Sequence, residues 1–301
     1  MRRSVFVAYR ASFLGSACLS ALLLAPSLAR ADGYAGRYVG PAPTNWIVNS
    51  NNQISVDFVE SHIDYRETFA GAFLDGEKGW VPGVSVTGSI MTGALGIPNL
   101  YAFGRFTYLN GDTDYRASGG PVLANTDGAR VRDEDFRVGV GLSLSRDFML
   151  TPYVGFGWHD WGRNLSGPFG YHEDYSHGYV GGGLLLQYSP TARLVMSANG
   201  LIGRTFDSSM TTSRTAGGAL INPFTYDLGD SATVKAGAGA DYAFTKQIHG
   251  NVGIDYTTFK YGQSPVAPDG TLEPNSRTHD VTLRVGLGFA FYEERDYRPL
   301  K

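Results

Sequence analysis

Large apolar residues alternate with small or polar residues along many stretches of the chain. In "THDVTLRVGLGFAF", residues 278–291, this alternation runs unbroken from Val281 to Phe291. A period of two is typical of a β-strand with two unlike faces. Here one face is apolar throughout, while the other carries Thr282, Arg284 and glycines. Such a strand suits a soluble sandwich, where apolar faces meet, or a membrane barrel, where the apolar face meets lipid.

The same pattern predicts about ten strands, and boundary uncertainty allows eight to twelve. After the N-terminal region no stretch shows a helical period of 3.6. Many evenly spaced strands separated by turn residues indicate an all-β barrel or sandwich. The predicted strands are 54–68, 80–93, 100–110, 136–145, 152–163, 178–188, 193–206, 231–244, 248–261 and 279–292.

The connections between these strands alternate in length. Every odd connection is long and polar, as in 111–135 and 207–230, whereas the even ones are as short as 146–151 and 189–192. Outer-membrane barrels have long extracellular loops and short periplasmic turns, while a soluble sandwich has no physical reason to sort its loops by end. The sequence therefore predicts a transmembrane antiparallel up-and-down β-barrel.

The two faces of the strands agree with this prediction, because charges fall on the face with small residues. The predicted lumen-facing charged residues are Asp57, Arg105, Arg137, Lys235, Asp241, Asp255 and Arg284. The predicted lipid-facing residues are Val138, Val140, Leu142, Val281, Leu283, Val285, Leu287 and Phe289. Aromatic residues near strand ends are expected to form girdles at the membrane interfaces. These are Trp80, Tyr108, Tyr153, Trp158, Trp161, Tyr188, Phe244, Phe259, Tyr261 and Tyr292.

The N-terminus predicts export. Residues 1–31 contain early arginines, the apolar run "ALLLAPSLA" and the small-x-small ending Ala29-Arg30-Ala31, the features of a cleaved secretory signal peptide. The only cysteine, Cys18, lies within it, so we expect a mature chain without disulfides. Removing its four arginines and no acidic residue changes the net charge from −3 to −7, which argues against a nucleic-acid partner.

The chain then divides into four predicted parts. A signal peptide (1–31) precedes a periplasmic N-terminal segment (32–53), which is expected either to lead into the barrel or to tuck inside it. The barrel itself spans 54–292, and 293–301 form a C-terminal tail. In the first strand Glu60 shares the parity of the lipid-facing residues, so we expect a bulge near Val59 or an exit from the membrane there.

On this architecture, and on hairpins such as "SLSRDFMLTPYVGFGW", the chain resembles the small bacterial outer-membrane barrels of the outer-membrane-protein-A and opacity type. The resemblance covers roughly residues 54–292 and implies location in the cell outer membrane. Such barrels usually end on an aromatic residue that the barrel-assembly machinery reads. Here Phe291-Tyr292 is followed by "EERDYRPLK", a departure from that pattern.

The charges predicted inside the barrel are of both signs, which favours pairing across a narrow lumen. Tyr101, Phe103 and Arg105 should point inward beside Gly139 and Gly141, and bulky side chains over cross-strand glycines fill a sheet. A narrow, largely filled lumen is therefore the expectation. Inward glycines on other strands leave space and keep a pore open as the alternative.

A search for catalytic or metal-binding patterns identifies only weak candidates. Asp112 and Asp114, with Asp127, could bind calcium loosely or form a solvated loop. The histidines at 159, 172 and 177 could bind a metal, but exposed loop residues are the expected interpretation. Surface proteases of the omptin type use an aspartate–histidine pair in the fourth outer loop, and residues 207–230 contain no histidine.

Three functions remain open from the sequence. The first is a non-enzymatic outer-membrane barrel with a structural or surface-interaction role, and the second is a porin-like pore for small solutes. The third, an outer-leaflet protease or lipid-modifying enzyme, lacks a convergent set of acid, histidine and serine. No cofactor and no metal are expected. The expected partners are outer-membrane lipid and lipopolysaccharide, the assembly machinery, and an extracellular ligand bound through the long loops.

Overall fold

The computed structural model describes residues 45–118, 126–165, 170–216, 219–268 and 270–291. The signal peptide, most of the N-terminal segment, Tyr292 and the C-terminal tail lie outside these residues. A short helix, α1 (Asn45–Ser50), precedes the strands. The strands are β1 (Gln53–Phe69), β2 (Ala72–Ala94), β3 (Ile97–Ala117), β4 (Thr126–Val140), β5 (Leu142–Ser143), β6 (Phe148–Leu165), β7 (Tyr171–Thr191), β8 (Leu194–Ala216), β9 (Ala219–Asp227), β10 (Ala232–Ala243), β11 (Ile248–Tyr261) and β12 (Asn275–Ala290).

These segments form a closed barrel with ten strands in its wall. Neighbours in sequence pair antiparallel, β12 pairs with β1, and β8 pairs with β10 to complete the ring. β5 continues the line of β4 after Gly141 and pairs with β6. β9 pairs with β8 alone, above the point where β10 joins, so it is an outgrowth of the wall. The predicted fold class, an antiparallel up-and-down barrel of about ten strands, is confirmed.

The outer surface carries a belt of exposed apolar side chains. Val285 is 54% exposed and Leu287 63%, whereas Ala290 and Thr278 of the same strand are buried. Aliphatic and aromatic side chains cannot be left in water on this scale without cost, so the belt is the lipid-contacting surface of a membrane barrel. Among the described residues, no helix is long and apolar enough to cross a bilayer.

The wall extends well beyond the membrane at one end. A transmembrane strand needs about 9–11 residues, whereas β2 and β8 each have 23. The surplus lies at the end opposite the short turns, and we refer to these two ends as the long-loop end and the short-turn end. Much sequence that reads as loop is therefore strand. Residues 70–79 were expected to be a loop, but Ala70 and Gly71 form a two-residue turn and β2 begins at Ala72.

The predicted bulge near Val59 is wrong. The pairing of β1 with β2 and with β12 is continuous through this position, and its only shift lies between Arg66 and Thr68. Val59 is fully buried inside the barrel, while Glu60 faces outward opposite Pro82. The second alternative therefore describes the strand, which leaves the apolar belt near Glu60.

The predicted aromatic girdle divides between the two faces of the wall. Trp80, Tyr108, Tyr188 and Phe244 lie exposed on the outer surface, and Trp158 also faces outward, against Phe206. The other four described members are buried in the lumen: Tyr153, Trp161, Phe259 and Tyr261. Proximity to a strand end does not reveal on which face an aromatic residue lies, because only its parity within the strand decides that.

Candidate functional site in the barrel lumen

The lumen is filled in layers. At the short-turn end lies an apolar cluster, the lower core: Ile47, Val48, Met91, Tyr101, Met149, Tyr153, Tyr179, Leu185, Val195 and Leu201. Towards the long-loop end lies a second, the upper core: Val59, Ile63, Tyr65, Val81, Leu109, Ala129, Val131, Trp161, Tyr175, Met210, Tyr226, Leu228, Phe259, Tyr261 and Ala267. Charged side chains occupy the level between them.

The helix α1 lies in the lumen at the short-turn end. Ile47 is 1% exposed within the lower core. Asn51 donates a hydrogen bond from Nδ2 to Gln187 Oε1 of β7 at 2.8 Å. Asn52 donates to the carbonyl oxygen of Met91 at 2.9 Å and accepts a bond from the Met91 amide. The last residues of the N-terminal segment 32–53 therefore lie inside the barrel, which was one of the two expectations for this segment.

Lower-core side chains also cover the glycines of the wall. The Tyr153 ring lies where a side chain at Gly183 would stand, only 2.4 Å from the ideal Cβ position. A Cβ at Gly139 would meet Tyr153 Cβ at 2.8 Å, and one at Gly141 would meet the Met149 sulfur. The covering residues thus come from β6, although Tyr101 and Phe103 had been expected to take this role. The adjacent strand β6 presents its side chains nearer to the glycines than β3 does.

Above the lower core, charged residues pair across the lumen. Asp255 Oδ2 accepts hydrogen bonds from Arg105 Nη1 at 3.0 Å and from Arg284 Nε at 2.6 Å. Arg137 Nη2 donates to Asp135 Oδ2 at 2.8 Å. The guanidinium groups of Arg137 and Arg105 also lie 4.6 and 5.2 Å from the centre of the Phe103 ring. Each of these five charged groups therefore has a partner of opposite sign, as buried ions require.

The remaining predicted lumen charges are also on the inner surface. Lys235 Nζ lies 3.9 Å from the centre of the Tyr179 ring. Asp241 accepts a hydrogen bond from Gln53 Nε2 at 2.9 Å, and its other oxygen lies 2.7 Å from His249 Nδ1. The hydroxyl of Ser85 donates to Asp57 at 3.2 Å.

The predicted lipid-facing residues lie on the outer surface. Those more than a third exposed are Val138, Leu142, Leu283, Val285, Leu287 and Phe289, while Val140 and Val281 are partly covered by their neighbours. The sequence analysis missed Asp135, because it assigned residues 111–135 to a loop. The strand period continued from Arg137 would have found it.

Two small cavities flank the charged layer. One, of about 70 Å³, lies towards the upper core beside Asp133, His159, Lys235 and Asp280. The other, of about 130 Å³, lies between the arginines and α1. Since a water molecule occupies about 30 Å³ in the liquid, each has room for a few waters, and polar groups such as Asp280 Oδ1 could bind them.

The three histidines do not form the exposed loop group that the sequence suggested. His159 and His177 are 7% and 3% exposed, face each other on adjacent strands and have ring centres 5.1 Å apart. His159 Nδ1 lies 2.7 Å from Asp133 Oδ1, and His177 Nδ1 lies 2.7 Å from the Tyr261 hydroxyl. His172 lies apart, beside Asp174. No group of metal-ligating side chains is found in the part of the chain that the structure describes.

The suggested calcium group is also separated. Asp112 and Asp114 point outward and are exposed, whereas Asp127 on β4 is fully buried inside the wall. Thr113, between the two exposed acids, faces inward and donates a hydrogen bond to Glu77 at 2.8 Å. The strand period places these carboxylates on opposite faces of the sheet, so they cannot share one ion.

At the long-loop end a second charged group surrounds Arg163, which is fully buried on β6. Its Nη1 lies 3.2 Å from Glu67 and 2.7 Å from Glu173, and its Nε contacts Glu77. Tyr65 and Trp161 place their rings 4.7 and 5.5 Å from the guanidinium carbon. We call these acids, with Asp75, Asp127 and Glu273, the carboxylate cluster.

The carboxylate cluster lies outside the membrane-spanning part of the wall and is mostly buried, and burial favours the neutral form of a carboxyl group. Burial and neighbouring acids raise the pKa of Asp75 to about 7 and that of Asp127 to about 8. Burial raises the pKa of Glu173 to about 8 and that of Glu273 to about 9, against the opposing effect of Arg163. Near neutral pH the cluster therefore holds several neutral carboxyl groups.

Comparisons with known proteins support the fold. No protein-family model matches the chain, and no curated protein matches it by sequence. Among solved structures it is similar to the outer membrane protease OmpT from Escherichia coli, with a TM-score of 0.52 and 11% identity over 80% of this chain and 98% of that one.

Two other solved structures are less similar. The toluene transporter TodX from Pseudomonas putida has a TM-score of 0.36 and 11% identity, covering 85% of this chain and 95% of its own. Ail, the attachment invasion locus protein of Yersinia pestis, has a TM-score of 0.30 and 10% identity, covering 80% and 99%. The likeness to OmpT, together with the apolar belt, shows that this chain has the fold of an outer-membrane β-barrel.

Proposed function

We propose that the protein is a non-enzymatic barrel of the bacterial outer membrane with a narrow, filled lumen and a structural or surface-interaction role. The observation that carries this proposal is the contact between Arg105 and Asp255, which joins opposite parts of the wall at 3.0 Å and obstructs the lumen at mid-height. Ion pairs of this kind stiffen a barrel when both partners are satisfied. A wide aqueous channel would need this level to be open.

Closure at both ends supports the same proposal. α1 occupies the short-turn end, and the upper core occupies the other, so a solute would have to displace two apolar clusters and one charged layer. The two cavities have room for only a few waters each. His159 and His177 are buried beneath the upper core, which argues against a surface enzyme that uses them.

In this proposal, the part of the wall that projects beyond the membrane makes the surface interactions. With the short turns in the periplasm, as in other outer-membrane barrels, the extended strands and β9 stand outside the cell and offer a surface to an extracellular ligand. Outer-leaflet lipid and lipopolysaccharide would surround the apolar belt, and the barrel-assembly machinery would insert the chain.

Conductance in planar bilayers tests this proposal. The folded protein should give no channel steps above the leak of protein-free bilayers. A variant lacking residues 45–50 should also stay closed, because the charged layer remains. Combining that deletion with Arg105→Ser and Asp255→Ser should still give no steps, because the upper core continues to fill the long-loop end. Stable steps from the unaltered protein would favour the small-solute pore instead.

A further inference from the structure

The carboxylate cluster brings six acids from five different elements to one guanidinium. Its members are Glu67 of β1, Asp75 and Glu77 of β2, Asp127 of β4, Glu173 of β7, and Glu273 of the β11–β12 connection. Four of them, Glu67, Glu77, Asp127 and Glu273, are at most 6% exposed. Among the described residues, the other titratable groups that face the cluster are four tyrosines: Tyr65, Tyr115, Tyr171 and Tyr175.

Among the described side chains, this group has fewer positive charges than acids. In the ion pairs between described residues, Arg163 is the only cation that any of the six carboxylates contacts. Lys78 and Arg66, which lie nearby in sequence, face away, towards Asp64 and Phe73. Six ionised carboxylates around one buried guanidinium would repel one another strongly, because the low local dielectric hardly screens them.

Two carboxylate oxygens in the cluster also lack hydrogen-bond donors. Asp127 Oδ2 and Asp75 Oδ1 are buried without a partner, each 3.9 Å from the Arg163 guanidinium. An ionised oxygen left in this state is costly, whereas a protonated carboxyl can donate its hydrogen to a neighbouring acid. Charge balance and geometry therefore both require bound protons here.

One of the six acids lies on a segment that covers the long-loop end. We call residues 262–268 and 270–274 the lid. Glu273 is 6% exposed and accepts a hydrogen bond from the Tyr175 hydroxyl at 2.6 Å. Ala267 of the lid is 7% exposed and belongs to the upper core, while its neighbour Val266 is 64% exposed.

Other hydrogen bonds also join the described part of the lid to the wall. The Tyr226 hydroxyl lies 2.6 Å from Thr271 Oγ1, and the amide of Gly262 donates to the carbonyl oxygen of Leu228 at 2.9 Å. Within the lid, Ser264 binds Glu273 through both its backbone and its hydroxyl, and the amide of Ala267 donates to Thr271. Among the described residues of the lid, Glu273 is the acid that contacts the cluster.

We propose that the carboxylate cluster is a proton-controlled latch: the lid stays closed over the upper core while the cluster holds protons, and it opens when they are lost. Deprotonation adds negative charge beside the ionised carboxylates. Opening moves Glu273 into water, where its charge is solvated and farther from the others. This latch does not depend on the structural role proposed above, because it concerns the long-loop end alone.

The direction of the pH response follows from the raised pKa values. In an open lid Glu273 would ionise near its usual value of about 4.3, whereas in the closed state its pKa is about 9. A group whose pKa is raised in the closed state favours closure most below its ordinary pKa. This preference is lost progressively as pH rises towards 9, the closed-state value. The lid should therefore open between neutral and alkaline pH.

Cysteine labelling measures this opening in the folded protein. The mature chain has no cysteine of its own if the predicted signal peptide is removed, so Ala267→Cys supplies a single buried thiol and Val266→Cys an exposed one. A methanethiosulfonate reagent labels both, and the ratio of their rates cancels the effect of pH on thiol ionisation. We expect the ratio of the 267 rate to the 266 rate to rise about tenfold or more from pH 5 to pH 9.5.

Two substitutions in the Ala267→Cys background identify the cluster as the cause. Glu273→Gln keeps an oxygen that accepts the Tyr175 hydrogen bond but cannot ionise, so it should hold the ratio low at pH 9.5. Glu60→Gln removes an acid that faces outward near the apolar belt and should leave the rise unchanged. Mobility of unboiled samples on gels checks that each variant is folded.

Several results would overturn the latch. They are a ratio that stays within about twofold across this range, an equal rise in Glu273→Gln, or an effect of Glu60→Gln as large as that of Glu273→Gln.

Discussion

Arg105 and Asp255 lie 3.0 Å apart although three strands, β12, β1 and β2, separate them around the wall. The same Asp255 oxygen accepts a hydrogen bond from Arg284 on the neighbouring strand at 2.6 Å. One carboxylate thus pairs with two guanidinium groups from different sides of the lumen. This ion pair links the two sides of the barrel across the lumen, in addition to the backbone hydrogen bonds of the wall.

Replacing Asp255 should destabilise the barrel more than an exposed ion pair would. Asp255→Asn leaves two arginines 13–14% exposed without their charge partner, and removing one partner of a buried pair typically costs about 3–5 kcal/mol. The free energy of unfolding in lipid vesicles, from urea titration, measures this loss. Asp230→Asn is the control, because Asp230 and Arg204 are 40% and 73% exposed at 3.8 Å and should contribute under about 1 kcal/mol. Equal losses would contradict the assigned role of Asp255.

Arg163 should stabilise the extended part of the wall in a pH-dependent way. Arg163→Gln removes the one cation that contacts these carboxylates in the described ion pairs. At pH 8 the extension should lose protection from protease while the membrane-spanning part stays folded. At pH 5 more of the carboxyl groups are protonated, so much of the protection should return. Susceptibility that is the same at both values, with a protease active at both, would show that charge excess is not the cause.

A charge placed on the apolar belt should be costly. Val285 is 54% exposed towards lipid. Val285→Arg should lower the free energy of unfolding by about 2–4 kcal/mol, the typical cost of an arginine near the bilayer midplane of a membrane barrel. Leu95 is 90% exposed in a short turn, so Leu95→Arg should change the unfolding free energy by less than about 0.5 kcal/mol. Urea titrations of both variants in vesicles give the comparison.

A soluble protein would also lose stability from Val285→Arg, so a second measurement is needed. A spin label on Cys at position 285 should collide with lipid-soluble oxygen and be protected from a water-soluble quencher. Protection from both agents would instead bury this strand against other protein.

The helix α1 should owe its position to Ile47. Ile47→Ala removes a side chain that is 1% exposed in the lower core. It should weaken the packing of α1 against the barrel by about 2–5 kcal/mol. Trp46, its neighbour, is 43% exposed, and Trp46→Ala should cost less. Hydrogen exchange of the 45–52 amides reports this loss locally. Faster exchange in the Trp46 variant than in the Ile47 variant would mean that the helix docks through its other face.

The orientation of the barrel can be tested on intact cells. Protease added outside should cleave within 111–135 or 207–230, between the ends of the paired strands, because these strand ends lie at the long-loop end. It should spare 146–151 and 189–192, which form turns at the other end. Cleavage at the short turns in sealed cells would reverse the proposed topology.

The alternation of side chains along each strand predicted which residues form strands and on which face each side chain lies, without any tertiary information. The alternation around Val285 and Arg284 assigns one residue to the outer face and the other to the lumen, because successive side chains of a strand must point to opposite sides. The same rule predicted the strands and the inward position of Asp255 and Lys235. Parity needs only local sequence, and the alternation is strongest where the outer face meets lipid.

The alternation of apolar and polar residues no longer identified strands where the strands leave the membrane. Once the outer face is in water, both faces can be polar, so Glu77 and Asp127 read as loop residues although they are buried in strands. Likewise, Tyr153 and Trp161 were assigned to the interfaces because they lie near strand ends, although their parity within the strand places them in the lumen.

Only the tertiary structure decided which charges meet. Arg105 and Asp255 are 150 residues apart, and Arg163 and Glu77 are 86 apart. Closure of the ring and the register of each strand bring such residues to the same height, and a one-residue slip would move them to the other face. The local alternation of the sequence therefore determined the wall of the barrel, while the contents of its lumen depended on long-range geometry that no local pattern contains.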